Sequence, residues 1–360
     1  MMRRTIWLPR PSVGLGELLE VEFDVEPVES GVRTARVTVL DPEFDSVDSG
    51  EGHGRGGGPL VSELERRAAA QFGVWNAAYH ADLAVARAER WAGRALPQLV
   101  LRVGEHGHWG GGHYRLPASH TDPVEAHPLS RHGEIHLGRG TRYCGSGADR
   151  YFNAAAHNPS IIYHEVGHHL CRHTADFRMN SQRPALAQDN GKTPLDEGTC
   201  DFFAATLLGH ADIFGWHRSD QPRQAQTRRA VDGGWTMASF RGGHDQDPHI
   251  DGTVWSSALW AARLAAVRSG ATADSFDVVV GRALVALGSS DVLSPDALKV
   301  RRYLGRAADA VMVGSSSLGA NVTDAVAAVF RGRGIVPGRS NADLRDLARS
   351  ALVGGHHRHA

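Results

Sequence analysis

The sequence predicts an α+β protein with a β-containing N-terminal lobe, a central helix and a mainly helical C-terminal lobe. Stretches of alternating apolar and polar residues, typical of half-buried strands, lie before residue 160. Apolar residues recur at helical intervals through most of the chain after Cys200. Between these parts, residues 158–170 combine an apolar helical stripe with the pattern H-E-x-x-H. These observations place a helix of chemical interest at the junction of the lobes.

Length and composition restrict the class of protein. With 360 residues, of which 41% are hydrophobic and 22% charged, the chain can bury a large core in two lobes or domains. Its net charge of −1 gives no electrostatic reason to expect a nucleic acid or a membrane as partner. Three cysteines cannot all pair, and no apolar run has the length of a signal peptide or a membrane span. We therefore expect a cytoplasmic protein, and nothing in the sequence indicates its oligomeric state.

Residues 1–47 are predicted to form a small β module of unassigned role. Alternation through residues 17–40, with a break at Ser30 and Gly31, predicts a β-hairpin with one buried face. Residues 48–60 are rich in glycine and predict a flexible linker. The linker marks the boundary between this module and the main domain.

The main domain is predicted at residues 61–335, with an α/β lobe at 61–160 and a helical lobe at 161–335. Ser62 followed by Glu65 forms a capping box and predicts a helix that ends at Gly93. The remaining patterns predict strands at 99–103, 114–116 and 134–137. They predict helices at 253–267, 276–287, 295–313 and 322–331. Residues 336–360 are predicted to be a C-terminal tail with a disordered, histidine-rich end.

The pattern H-E-V-G-H at residues 164–168 predicts half of a zinc site. On a helix, His164 and His168 lie one turn apart on the same face and supply two nitrogen ligands. Glu165 stands beside the first histidine, where its carboxylate can activate a water molecule. A catalytic zinc needs a third protein ligand and one open position.

Glu197 is the predicted third ligand. It stands 29 residues after His168 at the start of a second apolar helix, where an unpaired carboxylate would be costly to bury. Asp201 lies four residues further on the same helical face and can hold the second ring nitrogen of a ligand histidine.

The neighbouring histidines are predicted to be outside the site. On a continued helix, His169 would lie about 140° and His173 about 180° from His164 around the axis, so neither can reach the same ion. The metzincin pattern would require Gly at position 171 and His at position 174, where this chain has Cys171 and Thr174. Glu197 therefore remains the preferred third ligand.

Three segments together resemble a known family. H-E-V-G-H at 164–168, D-E-G-T-C-D at 196–201 and D-P-H-I-D-G-T-V-W-S-S-A-L-W at 247–260 resemble motifs of the gluzincin metallopeptidases, especially the thermolysin-like and fungalysin-like branch. A weaker similarity to the closing motif of those domains lies at 326–334. The resemblance covers roughly residues 60–335 and implies a zincin-like α+β fold.

The resemblance also implies one Zn²⁺ ion per chain and a role for each matching residue. The zinc ligands would be His164, His168 and Glu197, and Glu165 would be the general base. His249 would donate a hydrogen bond to the oxyanion. Asp201 would hold a ligand histidine, and Asp247 or Asp245 would orient His249. Two departures stand out: Cys200 replaces the family's serine, and the family's extra tyrosine donor is missing between His164 and His249.

These expectations amount to a zinc-dependent endopeptidase acting on a peptide or protein substrate. The strand at 134–137 is expected to be the sheet edge along which an extended peptide pairs. Two alternatives stay open at this point. One is an aminopeptidase-type zinc hydrolase on the same metal ligands, and the other is a catalytically silent zinc-bearing binding module.

Overall fold

A computed structural model gives a mixed α+β architecture. The predicted fold class is confirmed at this level. The structure describes residues 1–10, 15–42, 44, 63–105, 110–117, 130–139, 143–144, 151–152, 154–213, 229–243, 246–289 and 292–356. Ser62, the predicted cap of the first helix, lies outside these residues.

A six-stranded sheet forms one layer of the molecule. Its strand order is β3-β4-β5-β6-β8-β7, with β5, β6 and β8 parallel to one another and the other strands antiparallel to their neighbours. Every residue of β8 is buried, as expected of a strand between two others. The strands are β3 (Glu26–Val28), β4 (Gly31–Arg33), β5 (Val37–Leu40), β6 (Leu99–Glu105), β7 (Gly112–Arg115) and β8 (Glu134–Gly138).

The strand predicted at 134–137 is therefore not the sheet edge. β8 pairs with β6 on one side and with β7 on the other, so its backbone groups are occupied. The edge strand at this end is β7, which was predicted as a strand but not as the edge. The sequence of β8 alternates polar and apolar residues, which is typical of a half-buried strand, yet its polar residues Glu134 and His136 are buried as well.

The N-terminal strands are not a separate module. β5 pairs with β6 across the glycine-rich segment, so strands on both sides of the predicted boundary at residue 47 share one sheet. The break at Ser30 is confirmed as a tight turn between β3 and β4. The predicted partner of the preceding strand is wrong, because β2 (Leu15–Phe23) pairs with β1 (Met2–Arg10). This outer hairpin packs on the first helix through the buried Ile6.

Helix α1 (Glu63–Ala92) connects the parallel strands β5 and β6 and packs on the sheet. It ends before Gly93, whose φ of +69° is the left-handed conformation that stops a helix. Its buried face carries small and aromatic residues, among them Trp91. Helix α2 (Pro159–His173) packs against α1 and contacts the edge strand β7.

Three helices meet behind the sheet where glycines allow their backbones to touch. They are α2, α3 (Pro194–Leu208) and α4 (Pro248–Arg268). A Cβ at Gly167 of α2 would lie 2.9 Å from the Cα of Cys200 on α3. A Cβ at Gly198 of α3 would lie 2.3 Å from the carbonyl oxygen of Gly252 on α4. Any other residue at Gly167 or Gly198 would push the helices apart.

The remaining helices complete the C-terminal lobe. The predicted helix at 295–313 is two helices with a turn at 301–303, and the predicted tail contains a helix whose Leu344 is fully buried. Among the described residues, no helix is both long and apolar enough to cross a membrane. These helices are α5 (Ala273–Leu287), α6 (Pro295–Val300), α7 (Leu304–Ser315), α8 (Ala320–Gly332) and α9 (Asn341–His356).

Candidate metal centre

Helix α2 carries the two histidines of the sequence motif. Asn158 caps the helix by accepting a hydrogen bond from the amide of Ser160, and Pro159 occupies its first position, so the start of the helix is fixed. His164 and His168 follow one turn apart and are both buried, with ring centroids 5.0 Å apart. They face α3 rather than solvent.

Helix α3 places Glu197 between these two imidazoles. Thr193 caps this helix, and its side chain accepts from the amide of Asp196 at 3.1 Å. Glu197 Oε2 lies 3.1 Å from His164 Nε2, and Oε1 lies 3.5 Å from His168 Nε2. The carboxylate is buried. The structure thus brings together the three residues predicted as ligands.

Helix α4 adds His249 to the same cluster. Asp247 caps α4, accepting from the amide of His249 at 3.0 Å and lying 2.7 Å from its Nδ1. His249 Nε2 lies 3.1 Å from Glu197 Oε2. The ligand atoms of His164, Glu197 and His249 all lie within 4.8 Å of one another, and His249 differs from the others in being 39% exposed.

His249 lies closer to Glu197 than its predicted oxyanion role alone requires. A residue that only steadies the oxyanion is expected to stand off from the ligands, yet its nitrogen lies as close to Glu197 as that of His164 does. The motif at 247–260 identified the residue but could not give this distance. The structure favours Asp247 as its partner, and Asp245 lies outside the described residues.

All three histidines share one arrangement. Each turns Nε2 toward Glu197 and Nδ1 toward a carboxylate of its own. Such a carboxylate orients an imidazole and makes it a better ligand. The Nδ1 partners are Asp201 for His164 at 2.8 Å, Asp196 for His168 at 3.0 Å and Asp247 for His249 at 2.7 Å.

The donor set could hold a metal ion. Ligands about 2.0–2.1 Å from a tetrahedral zinc ion are about 3.3 Å from each other. The nitrogen-to-oxygen separations around Glu197 are 3.1, 3.5 and 3.1 Å, and they involve both of its oxygens. His164, Glu197 and His249 form one compact group of candidate ligands, and His168 belongs to a second group with Asp196 and Cys200. Glu197 Oε2 is buried and makes no hydrogen bond within the described part of the chain, although two nitrogens lie beside it.

The pKa shifts of His164 and Glu197 also indicate a site for positive charge. Burial alone would lower the pKa of His164, but Asp201 and Glu197 outweigh it and raise this pKa to about 10. Burial alone would raise the pKa of Glu197, but the surrounding imidazoles, His168 first, hold it well below its usual range. The cluster of carboxylates therefore demands positive charge in the middle, from protons or from a metal ion.

Glu165, the predicted general base, lies on α2 beside this cluster. Its side chain is buried, and its Oε2 has no hydrogen-bond partner among the described residues. The edge strand β7 approaches it so closely that a Cβ at Gly112 would lie 2.9 Å from Glu165 Cγ. A buried carboxylate oxygen without a donor is costly unless something else binds it.

Asp196 and Arg229 belong to the site but were not predicted. Asp196 is the first residue of the motif at 196–201. It lies one helical turn before Cys200, which packs on α2, and this spacing was the signal that could have identified it. Arg229 binds both oxygens of Asp201, at 3.1 and 2.6 Å, and its Nη2 lies 3.5 Å from His164 Nδ1. Arg229 has no local signal, because it is separated from the metal-centre motifs along the chain.

The histidines predicted to be out of phase lie elsewhere. His169 Nδ1 lies 3.2 Å from the hydroxyl of Tyr114, and its Nε2 lies 3.0 Å from the carbonyl of Pro97. His173 Nε2 lies 3.1 Å from the carbonyl of His132. The prediction that His169 and His173 stay outside the ligand cluster is confirmed.

No family model and no curated protein matches this chain.

Proposed function

We propose that this protein is a zinc-dependent peptidase of the gluzincin type with a zincin-like fold. The observation that carries the proposal is the convergence of His164, His168 and His249 on the carboxylate of Glu197, with the unpartnered carboxylate of Glu165 beside them. A structural zinc site needs only ligands, whereas a hydrolytic site also needs a base that no other group of the protein neutralises.

His164, His168 and Glu197 would hold the ion, because they are the buried members of the cluster. Zinc bound there would polarise the scissile carbonyl and acidify a water molecule enough for it to react at neutral pH. Asp201 and Asp196 hold the two ligand imidazoles in place through Nδ1. The exposed His249 stands on the open side of the cluster, where a substrate would arrive.

Glu165 is the general base of the proposed reaction. It accepts the proton of the attacking water through its unpartnered oxygen and passes it to the leaving amine, a contribution of about 10²–10⁴-fold in rate. His249, held by Asp247, donates to the tetrahedral oxyanion. Arg229 holds Asp201 and so fixes His164 from behind.

The substrate is proposed to be an extended peptide paired with β7. Among the described residues this strand pairs with β8 alone, and it runs beside α2 at the level of Glu165. Edge strands bind extended peptides through main-chain hydrogen bonds that do not depend on sequence. A peptide added to this edge would carry its backbone past the metal centre.

The substitution Glu165→Gln tests this proposal. We expect the variant to retain one zinc per chain, measured by plasma mass spectrometry, and to lose at least about 10²-fold in turnover of a proteome-derived peptide library. Glu20→Gln, on the exposed face of β2, is the matched control and should keep both. A metal-free wild type, or full activity in Glu165→Gln, would contradict the proposal. Digestion of peptides with free and with blocked N-termini separates an endopeptidase from an aminopeptidase.

The position of His249 supports a second candidate function, a catalytically silent zinc-bearing binding module. If His249 joined the other three donors, the ion would have four protein ligands and no open position, as in structural zinc sites. His249→Ala distinguishes the two. In a peptidase this variant keeps zinc and loses roughly 10²–10³-fold in turnover. If the site is closed, His249→Ala weakens zinc binding, and the wild-type protein itself cleaves no peptide.

A further inference from the structure

A cavity lies next to the metal centre, on the side of His168. It is bounded by the C-terminal end of α2, the segment 176–192 that connects α2 with α3, and Tyr114 of β7. Its volume is about 30 Å³, and it is partly open to solvent. His168 and Asp196 belong to its wall and also to the metal centre. An occupant of the cavity would therefore contact the ligand helix directly.

The acidic residues of the cavity wall are already paired within the protein. Asp196 holds His168 Nδ1 at 3.0 Å. Asp176 accepts from the two backbone amides of the turn at 180–181, both at 2.8 Å. Asp189 lies 3.2 Å from Arg178 and also accepts a backbone amide. These carboxylates have little capacity left for a positively charged ligand.

Two basic residues of the wall retain unused donors. Lys192 Nζ contacts the carbonyl oxygen of Tyr114 at 3.3 Å and lies 5.2 Å from the centre of its ring. No carboxylate of the described residues lies within 4 Å of this ammonium group. Arg172 is 10% exposed, and its Nε is buried without an acceptor in the described part of the chain. The cavity thus offers donors and one unpaired positive charge.

The course of β7 relates the cavity to the reaction centre. Gly112 of this strand faces Glu165, whereas Tyr114, two residues later, faces His168 and the cavity, with 6.5 Å between the Tyr114 and His168 ring centroids. The strand therefore runs from the general base toward the cavity. An antiparallel peptide on its free edge runs the opposite way, so the residues before the scissile bond lie on the cavity side. Antiparallel pairing is the commoner kind.

We propose that this cavity is a specificity subsite for an acidic side chain of the substrate, on the N-terminal side of the scissile bond, with Lys192 as the recognising charge. The inference rests on the proposed peptidase function. A glutamate or aspartate carboxylate would accept from Lys192 Nζ, which makes one hydrogen bond, to the Tyr114 carbonyl, and has two further donors. A glutamine has the same shape but lacks the charge.

Binding to the inactive variant measures this preference without turnover. The probes are fluorescein-labelled octapeptides, blocked at both ends, that differ only in Glu or Gln at one position, scanned along the sequence. They are titrated by anisotropy into zinc-loaded full-length Glu165→Gln. We expect Glu to bind about tenfold more tightly than Gln at one position, and the ratio to fall with added salt.

Two variants of the same background assign the preference to one residue. Lys192→Met should reduce the Glu-to-Gln ratio to less than about twofold, while Lys192→Glu should favour peptides with Arg at that position. Lys299→Met is the matched control, since Lys299 is the only other lysine and is exposed on α6. It should keep the tenfold ratio. A ratio near one at every position, or a ratio that survives Lys192→Met, would overturn the inference.

Digestion of the same peptides by wild type separates this inference from the function on which it rests. Lys192-dependent binding without any cleavage would leave the acidic subsite standing and contradict the peptidase. Cleavage without a Lys192-dependent preference would support the peptidase and contradict the acidic subsite. If no peptide binds to the zinc-loaded variant, the cavity is not a peptide subsite.

Discussion

Helix α2 presents buried histidines on two faces, and the two faces have opposite chemistry. His164 and His168 face carboxylates, whereas His169 and His173 face backbone carbonyls and a tyrosine hydroxyl. The pKa of His164 is raised to about 10 because carboxylates outweigh its burial. Burial lowers the pKa of His173 to about 4 and that of His169 as well. The partner, rather than burial, decides what a buried imidazole can do.

The difference has a simple origin. A carboxylate carries a full negative charge and strongly stabilises an adjacent cation, whether this is a proton or a metal ion on the far nitrogen, whereas a backbone carbonyl does so weakly. The carbonyl contacts of His169 and His173 raise the pKa of each imidazole less than burial lowers it. The two faces can be separated by experiment because neighbouring residues differ in role.

The largest effect is expected from a pair of adjacent substitutions. His168→Ala should weaken zinc binding by roughly 10²–10³-fold, since it removes one of the ligands that together provide the binding free energy. His169→Gln should leave zinc affinity within about threefold and lower the free energy of unfolding by about 1–2 kcal/mol, because its hydrogen bonds are buried. Competition with a chromophoric chelator and urea unfolding measure these quantities. Equal zinc affinities in the two variants would remove the distinction between the faces.

A second pair asks how much the carboxylates contribute. Asp196→Asn keeps an acceptor for His168 Nδ1 but removes the charge, and we expect zinc affinity to fall by about 10–100-fold. Asp247→Asn makes the same change behind His249, which does not hold the ion in the proposed peptidase, and there the loss should stay below about fivefold. The same chelator competition applies. An equal loss in both variants would mean that His249 holds the ion as His168 does.

A third test extends the comparison to His80 of α1, which also lacks a carboxylate partner. It lies between the Tyr163 hydroxyl at 2.7 Å and the carbonyl of Trp7 at 2.9 Å, and burial lowers its pKa from 6.5 to about 4. The unfolded chain therefore binds a proton between these two values while the folded chain does not, so stability is lost as the pH falls from 6.5 toward 4.

The expected size of this loss is about 2 kcal/mol between pH 7.5 and pH 5. Urea unfolding of the chelator-treated protein at both values, compared with His80→Gln, isolates the contribution of His80. The variant should be less stable at pH 7.5 but should lose less on acidification. An identical pH dependence in both proteins would mean that folding does not lower the pKa of His80.

Local patterns predicted much of the site. Helical phase was enough to select His164 and His168 and to set His169 aside, because these relations lie within α2. Glu197 was selected because an unpaired carboxylate on an apolar helix would be costly to bury. The distance of His249 from Glu197 depends on how α4 packs on α3, and no local pattern reports it. Arg229 was missed for the same reason.

The pairing of strands in the sheet was also not predictable from local patterns. Local apolar patterns identified β6 and β8 as strands but not which strands they pair with, since such a pattern is the same whatever the neighbour. The glycine-rich stretch suggested a boundary, yet β5 pairs with β6 across it. Residues 336–360 were predicted as a tail without a helix, but Leu344 anchors a helix there in the core. Each miss concerns contact between residues far apart in sequence.

The glycines where the three helices touch have a consequence for how such a site can change over time. Gly167 is followed directly by the candidate ligand His168, and Gly198 directly follows the candidate ligand Glu197, so the spacing of these side chains is set by main chain against main chain. A donor can be exchanged for another of similar reach while the scaffold stays intact. A side chain at Gly167 would push α2 away from α3, and one at Gly198 would push α3 away from α4. Divergent descendants of this chain should therefore lose a ligand before they lose these glycines.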